Sequence, residues 1–183
     1  GRKHPADLDQ VFATIPHLPG DQLADMVLFM LYTGCRVGEA REARSQDIDT
    51  SGDVWFLRPE WHKTSRHGIS RQIPITGVAR DLVEARMGRV YLFGVDRGDS
   101  PYHRDSVSQA IIRATKKASA KRWSLGQLRH NAATISRDAA GLEATRALLG
   151  HTSERMTRHY VHGSDDETAT IAAKALDGAI GAA

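Results

Sequence analysis

Residues 21–34, DQLADMVLFMLYTG, are apolar on nearly every side after Asp21. A surface helix keeps one polar face. This stretch keeps none, so it predicts a helix enclosed by the rest of the chain and closed by Gly34. The flanking sequence supplies mostly helices to enclose it. DLDQVFATIPHL sets Leu8, Val11, Phe12 and Ile15 on one stripe, ended by Pro16 and Pro19. VGEAREAR continues as a short helix, and TGVARDLVEARMG forms another. From Asp105 on, DSVSQAIIRATKKASAKR, GQLRHNAATISRDAA, LEATRALLG, SERMTRHYVH and DDETATIAAKALDGAI read as helices, punctuated by Gly126, Gly141, Gly150 and Gly163. Two short strand-forming runs, DVWFLRP and SRQIPI, flank EWHKTSRHG with Gly68 at its turn, which predicts a small antiparallel sheet with a basic hairpin. YLFGVDRGDSPYHRD is a loop region broken by Gly and Pro. The expected fold is mainly α with a small antiparallel β-sheet.

A chain of 183 residues suits one core, or a core and a short appendage. Its formal charge of +3 and pI of about 9.2 are compatible with a polyanionic partner without requiring one. A single cysteine, Cys35, excludes an internal disulfide and argues for a reducing compartment, the cytosol or nucleoid. No apolar run reaches the roughly 18 residues of a membrane span, and the start, GRKHPADLDQ, has no signal-peptide core. Gly1 in place of methionine suggests an excised fragment or a tag remnant.

The chemistry concentrates in four basic stretches far apart in sequence and one tyrosine. TGCRVGEA carries Arg36, WHKTSRHG carries Lys63, LRHNAAT carries Arg129 and LLGHTS carries His151. Tyr160 stands nine positions after His151 (160 − 151), in a run rich in His and Arg. A buried tyrosine prefers apolar neighbours and one hydrogen-bond partner, and this one has basic neighbours on both sides. Together these groups suggest one reaction. A phenol, of ordinary pKa about 10, attacks a phosphodiester if cations neutralise the phosphate and the phenolic proton is removed. Two arginines present paired N–H donors to the non-bridging oxygens. A lysine protonates the leaving oxygen, and a histidine donates to phosphate or shuttles a proton. No metal or cofactor is required.

The five boxes, in this order and spacing, resemble the catalytic domain of the tyrosine recombinase (phage integrase) family, over roughly residues 7–162. The resemblance implies Arg36, Lys63, Arg129, His151 and Tyr160 as catalytic residues, and Glu39 as a structural acid beside Arg36. It implies strand exchange through a 3′-phosphotyrosyl intermediate with a free 5′-hydroxyl. The partner would be double-stranded DNA, bound by a homotetramer that is monomeric in isolation, with no membrane. The family carries an N-terminal helical domain on the other side of the DNA, and KHPADLDQ begins where the interdomain linker would end. The expected organisation is linker or tag remnant over 1–6, catalytic domain over 7–163, and a C-terminal helix over 164–183. That helix, with Ile171, Ala175 and Ile180 on one side, docks either on a neighbouring protomer or in cis.

One position departs from the family pattern. The histidine usually found three residues before the second arginine is Gly126 here, in SLGQLRH. A missing acid or base is worth roughly 10²–10⁴-fold in rate. Gln127 beside it hydrogen-bonds but is no base.

Blander readings stand beside these. Arg36 is also a helix-start arginine paired to Glu39. Lys63 has rivals in Arg66 and Arg71, and a charged hairpin is ordinarily a solvated one. His130 reads as packed rather than catalytic. His151, His159 and His162 do not make a zinc site, because Arg155 and Arg158 oppose a cation. The run from Lys116 to Trp123 is either a solvated face or backbone-contacting charge. On the second reading Lys116, Lys117, Lys121 and Arg122, with Arg66, His67 and Gln127, are candidate DNA contacts. The rival functions are a type IB topoisomerase or telomere resolvase, and a catalytically impaired domain that only binds DNA.

Overall fold

The computed structural model describes residues 4–59, 71–150 and 162–181, the side chains of 162–165 excepted. Lys63, Arg66, His67, His151 and Tyr160, with the basic hairpin and the SERMTRHYV segment, lie outside the described residues. The architecture is mainly helical with two small antiparallel sheets.

The all-apolar stretch is helix α2 (Asp21–Thr33), and it is the centre of the core. Leu23, Met26, Val27, Phe29, Met30 and Leu31 are essentially inaccessible. Helix α1 (Leu8–Thr14) starts at Asp7, whose carboxylate accepts from the Asp9 N–H and so satisfies one open helix-end donor. Helix α3 (Val37–Arg41) follows α2 after a three-residue turn at Gly34, Cys35 and Arg36. Strands β1 (Ile48–Asp49), β2 (Trp55–Leu57) and β3 (Ile73–Ile75) form an antiparallel sheet in the order β1-β2-β3. Leu57 faces Ile48 on one side and Ile73 on the other. β3 is buried throughout, since helices cover it, and its edge position tolerates Pro74, which has no ladder N–H to give.

Helix α4 (Gly77–Glu84) comes next. The region expected as a broken loop contains a second, two-stranded sheet, β4 (Gly94–Val95) with β5 (Ser100–Pro101). Such short strands leave no alternating pattern to read. Helix α5 (Arg104–Lys117) ends five residues before Arg122 (122 − 117), the expected limit. Ser119 takes a left-handed turn, and Trp123 is buried with its Nε1–H donating to Thr14 Oγ1 at 3.1 Å. That anchor draws the chain down onto α1.

Helix α6 (Leu125–Leu149) merges two expected helices across a kink at Gly141, where φ is 85°. Thr145 Oγ1 donates to the Gly141 carbonyl, and a 3.0 Å contact joins the Ser136 and Thr145 hydroxyls across the break. Helix α7 (His162–Gly181) packs in cis on α6, β3, α2 and α4. Its buried side is Ala169, Ala172, Ala173, Leu176 and Ile180, whereas Ile171, expected on that side, is exposed.

Candidate active site

The site is assembled where two helices end and one begins. α2 closes at Gly34, which has a left-handed φ of +63°. α6 closes at Gly150, with φ of +62°. Both glycines are demanded twice over. L-residues avoid that backbone region, and a Cβ at Gly34 would lie 2.8 Å from Leu149 Cδ2, one at Gly150 2.8 Å from Arg71 Nη1. The unpaired carbonyls at these two helix ends carry partial negative charge and attract cations.

Arg129, on α6, bridges them. Its Nη1 donates to the Gly34 carbonyl at 2.6 Å and its Nη2 to the Leu149 carbonyl at 2.7 Å. The ends of α2 and α6 are thereby locked to one guanidinium. Burial, followed by the charges of Arg36 and Arg71, lowers its pKa to about 10, still fully protonated at neutral pH.

Arg36 sits at the N-cap of α3. Its backbone N–H donates to Glu39 Oε2 at 2.6 Å and its Nη1 to Glu39 Oε1 at 2.8 Å. The pairing expected of a helix-start arginine with Glu39 is thus present. The Arg36 side chain is 29% exposed against 4% for Glu39, and Arg129 is half-buried, so these two arginines reach solvent where Arg71 does not. Burial pushes the Glu39 carboxyl up, but Arg71 and then Arg36 outweigh it and hold the group below the usual carboxylate range.

Arg71 is the residue that sequence reasoning missed. In the sequence it is only a rival for the lysine position. It is almost wholly buried, with Nε 3.5 Å from Glu39 Oε1 and Nη1 donating to the carbonyls of Leu148 at 3.0 Å and Gln72 at 3.1 Å. The ion pair with Glu39 is too long to count as a hydrogen bond, and Nε and Nη2 have no hydrogen-bond partner among the described residues. Burial lowers the Arg71 pKa against the pull of Glu39. Its only sequence mark is a charge two residues before an all-apolar strand. Arg36, Arg71 and Arg129 around Glu39 give a local charge of 3 − 1, or +2. A net positive charge of this kind favours an anion at the surface of the cluster.

The remaining expectations divide. Lys116, Lys117, Lys121 and Arg122 are exposed at and beyond the end of α5. Gln127 is buried. Its Oε1 accepts from the Ser124 N–H at 3.1 Å, capping α6, and its Nε2 donates to the His4 carbonyl at 3.1 Å. This commitment leaves it no surface from which to touch a ligand. Two turns of the same helix are tied to the incoming chain, since Asn131 also exchanges a pair of 2.8 Å hydrogen bonds with the Ala6 backbone. His130, expected to be packed, is exposed. Gly126 lies in the first turn of α6 with ordinary helical geometry, and an added Cβ would meet nothing within 4 Å. Cys35, adjoining Arg36, is fully buried, and burial followed by Glu39 pushes its thiol up to about 12, so it is not a nucleophile near neutral pH. Among the described residues there is no group of three or more potential metal ligands, and no helix long and apolar enough to cross a membrane.

Residues 9–167 match the family model described as the phage integrase family. The tyrosine recombinase XerC of Oceanobacillus iheyensis is 29% identical over 163 residues, covering 81% of this chain and 52% of the relative. The chain therefore spans about half the length of that curated relative. Among solved structures, the integrase from mycobacterium phage Brujita superposes with a TM-score of 0.70 at 19% identity, over 97% of this chain and 59% of that one. A lambda integrase (75–356) dimer bound to a COC′ core site gives 0.67 at 20% identity, over 86% of this chain and 60% of that one. Identities this low speak to the fold.

Proposed function

The chain belongs to the phage integrase family, and from that premise we propose that it is the catalytic domain of a site-specific recombinase, which breaks and rejoins DNA through a 3′-phosphotyrosyl intermediate. The observation that carries the reading is the gathering of Arg36 and Arg129, 93 positions apart (129 − 36), at one pair of helix ends around Glu39. A scissile phosphate seated there faces the half-buried Arg36 and draws on the field of Arg129. Both charges are fixed in advance by backbone carbonyls and a carboxylate, which is the preorganisation that stabilises a charged transition state.

The proposed step balances without a cofactor. The Tyr160 phenol gives its proton to solvent water and its oxygen bonds to phosphorus. The bond from phosphorus to the 5′-oxygen breaks, and Lys63 protonates the leaving oxygen. His151 donates to a phosphate oxygen. Rejoining is the reverse, with a 5′-hydroxyl as nucleophile. These roles rest on the matching sequence boxes, since the three residues lie outside the described structure.

Double-stranded DNA is the proposed substrate, and the solved lambda integrase complex with a core site supports that partner by kinship. The exposed Lys116, Lys117, Lys121 and Arg122 are proposed contacts to the phosphate backbone flanking the site. Arg66 and His67 are proposed alongside them on sequence position. Action as a homotetramer on DNA in the cytoplasm is part of the same proposal, as is the division into a catalytic domain over 7–163 and a C-terminal helix over 164–183.

A suicide duplex nicked near the crossover tests the reading. This chain should form a covalent adduct on it that maps to Tyr160, and Tyr160→Phe should form none while binding DNA with nearly unchanged affinity. An adduct persisting in the Phe variant would show that another residue attacks. Binding without any adduct would favour the impaired, binding-only reading. Site-independent relaxation of supercoiled plasmid would favour a topoisomerase.

A further inference from the structure

We propose that Arg71 is a positioning residue for strand cleavage, holding Glu39, and through it Arg36, in register with the end of α6 that holds Arg129. The proposal rests on the strand-cleavage reading above and deepens it. Glu39 Oε1 is shared by Arg36 Nη1 at 2.8 Å and Arg71 Nε at 3.5 Å. Arg71 Nη1 reaches the Leu148 carbonyl at 3.0 Å, and the next carbonyl along, that of Leu149, holds Arg129 Nη2 at 2.7 Å. Polar contacts therefore run from Arg36 through Glu39 and Arg71 to the Leu148 carbonyl, one residue along α6 from the carbonyl that holds Arg129.

Three observations favour positioning over other roles. The Arg71 side chain is 4% exposed where Arg36 is 29% exposed, so Arg36 meets a bound phosphate and Arg71 acts behind it. Its burial is a poor bargain for stability alone. A buried guanidinium with Nε and Nη2 unbonded among the described residues is commonly improved on by an apolar side chain of similar volume. Lastly, Arg71 packs directly beneath Gly150, in the space a Cβ there would need. Gly150 closes α6, so this contact fixes Arg71 against the helix end that holds Arg129.

The test compares Arg71→Lys and Arg71→Met with the unaltered chain, alone and in an Arg36→Ala background, on the nicked suicide duplex. Lysine keeps the charge but not the fork that engages Glu39 and two carbonyls together. Single-turnover cleavage should slow by about 10-fold or more in Arg71→Lys and about 10²-fold in Arg71→Met, as for an ångström-scale misplacement of a catalytic group. DNA affinity should stay within about threefold, because a purely positional loss falls on the chemical step. In the Arg36→Ala background the Arg71 substitutions should cost little more, since their route of action is already cut. A merely structural role would lower melting temperature and multiply undiminished onto Arg36→Ala, and that result overturns the proposal. So does a wild-type cleavage rate in folded Arg71→Lys. So does failure of both variants to fold, which would make Arg71 a residue of the core. No adduct from the unaltered chain would overturn the strand-cleavage reading and this inference with it. Adduct from the unaltered chain with unchanged Arg71→Lys kinetics overturns the inference alone.

Discussion

Replacing Gly34 by alanine adds one methyl group and should cost about as much as truncating a core side chain. Two terms add. The left-handed φ of +63° penalises any L-residue by about 1–2 kcal/mol. The new Cβ would lie 2.8 Å from Leu149 Cδ2 and 3.1 Å from Ala132 Cβ, and both belong to α6, which cannot yield without moving Arg129. Overpacking of that kind costs about 1–3 kcal/mol. Against this, alanine restricts the unfolded chain, which returns about 0.4–1 kcal/mol. The net is a loss of about 2–4 kcal/mol. For a chain of this size each kcal/mol shifts the midpoint by about 2–4 °C, so the melting temperature should fall by roughly 5–15 °C. Gly126→Ala is the matched control. That glycine is helical, and its Cβ would meet nothing within 4 Å. It should therefore gain about 0.5–1 kcal/mol. The two variants, unfolded by heat and by urea, should move in opposite directions with unchanged urea m-values. If Gly34→Ala melts within a degree of Gly126→Ala, the close approach of α2 and α6 is not what closes the site. Because the Gly34 carbonyl also accepts from Arg129, the cleavage rate should fall along with stability.

Arg36→Ala and Arg129→Ala should each slow single-turnover cleavage by about 10²-fold or more, and the double variant by much less than the product, since both act on one phosphate; a wild-type rate in either would mark that arginine as structural only. Glu39 carries an acid dependence with a definite sign. Its folded pKa is depressed, so the stability it contributes is full above the ordinary glutamate value of about 4.3 and is lost as pH falls through the lower folded value. Glu39→Gln should thus melt below the unaltered chain at pH 7, with the gap narrowing as pH drops from about 5 to 3. A gap independent of pH would show that the carboxylate charge is not what anchors the arginines.

How much of this was legible beforehand depends on the range of the interaction that decides each feature. α2 and its end at Gly34 could be read because an all-apolar helix closed by glycine is a local pattern. The pairing of Arg36 with Glu39 could be read for the same reason, as the partners are three residues apart. Arg71 could not. Its environment is made by Glu39 and Leu148, respectively 32 residues before it (71 − 39) and 77 after it, and nothing in SRQIPI says that its arginine turns inward. Gln127 misled for a related reason. It reads as a polar neighbour of a catalytic arginine, but the helix start and the incoming chain at His4 claim its amide. The end of α5 was misplaced because KKASAKR has good helix propensity throughout. A tertiary contact, Trp123 on Thr14, decides where the helix stops.

Gly126 is where sequence and structure together make the most specific claim on rate. The family pattern calls for a histidine there, and the open question from sequence was whether glycine is needed for a turn. It is not. Gly126 lies within the first turn of α6, has no positive φ, is exposed, and leaves room for a Cβ. Gly126→His is thus sterically permitted, and it replaces a poor helix former, so the variant should be at least as stable as the parent. The new imidazole would stand one turn before Arg129 on the same side of the helix. Its position near a helix N-terminus disfavours the imidazolium, so its ionisation should fall at or somewhat below the ordinary value of about 6.5 and leave a neutral base at pH 7. A positioned acid or base contributes roughly 10²–10⁴-fold, and an engineered one recovers part of that, so single-turnover cleavage should rise by about 10-fold or more. The rate of Gly126→His should also acquire an ionisation near pH 6 that the parent lacks. The control is Gly126→Gln, which matches the bulk without the titration and should leave the pH profile unchanged. If Gly126→His folds and cleaves at the parent rate, the position is no vacancy. Proton transfer would then already be served from elsewhere, with the exposed His130, one turn further along α6, the first residue to replace.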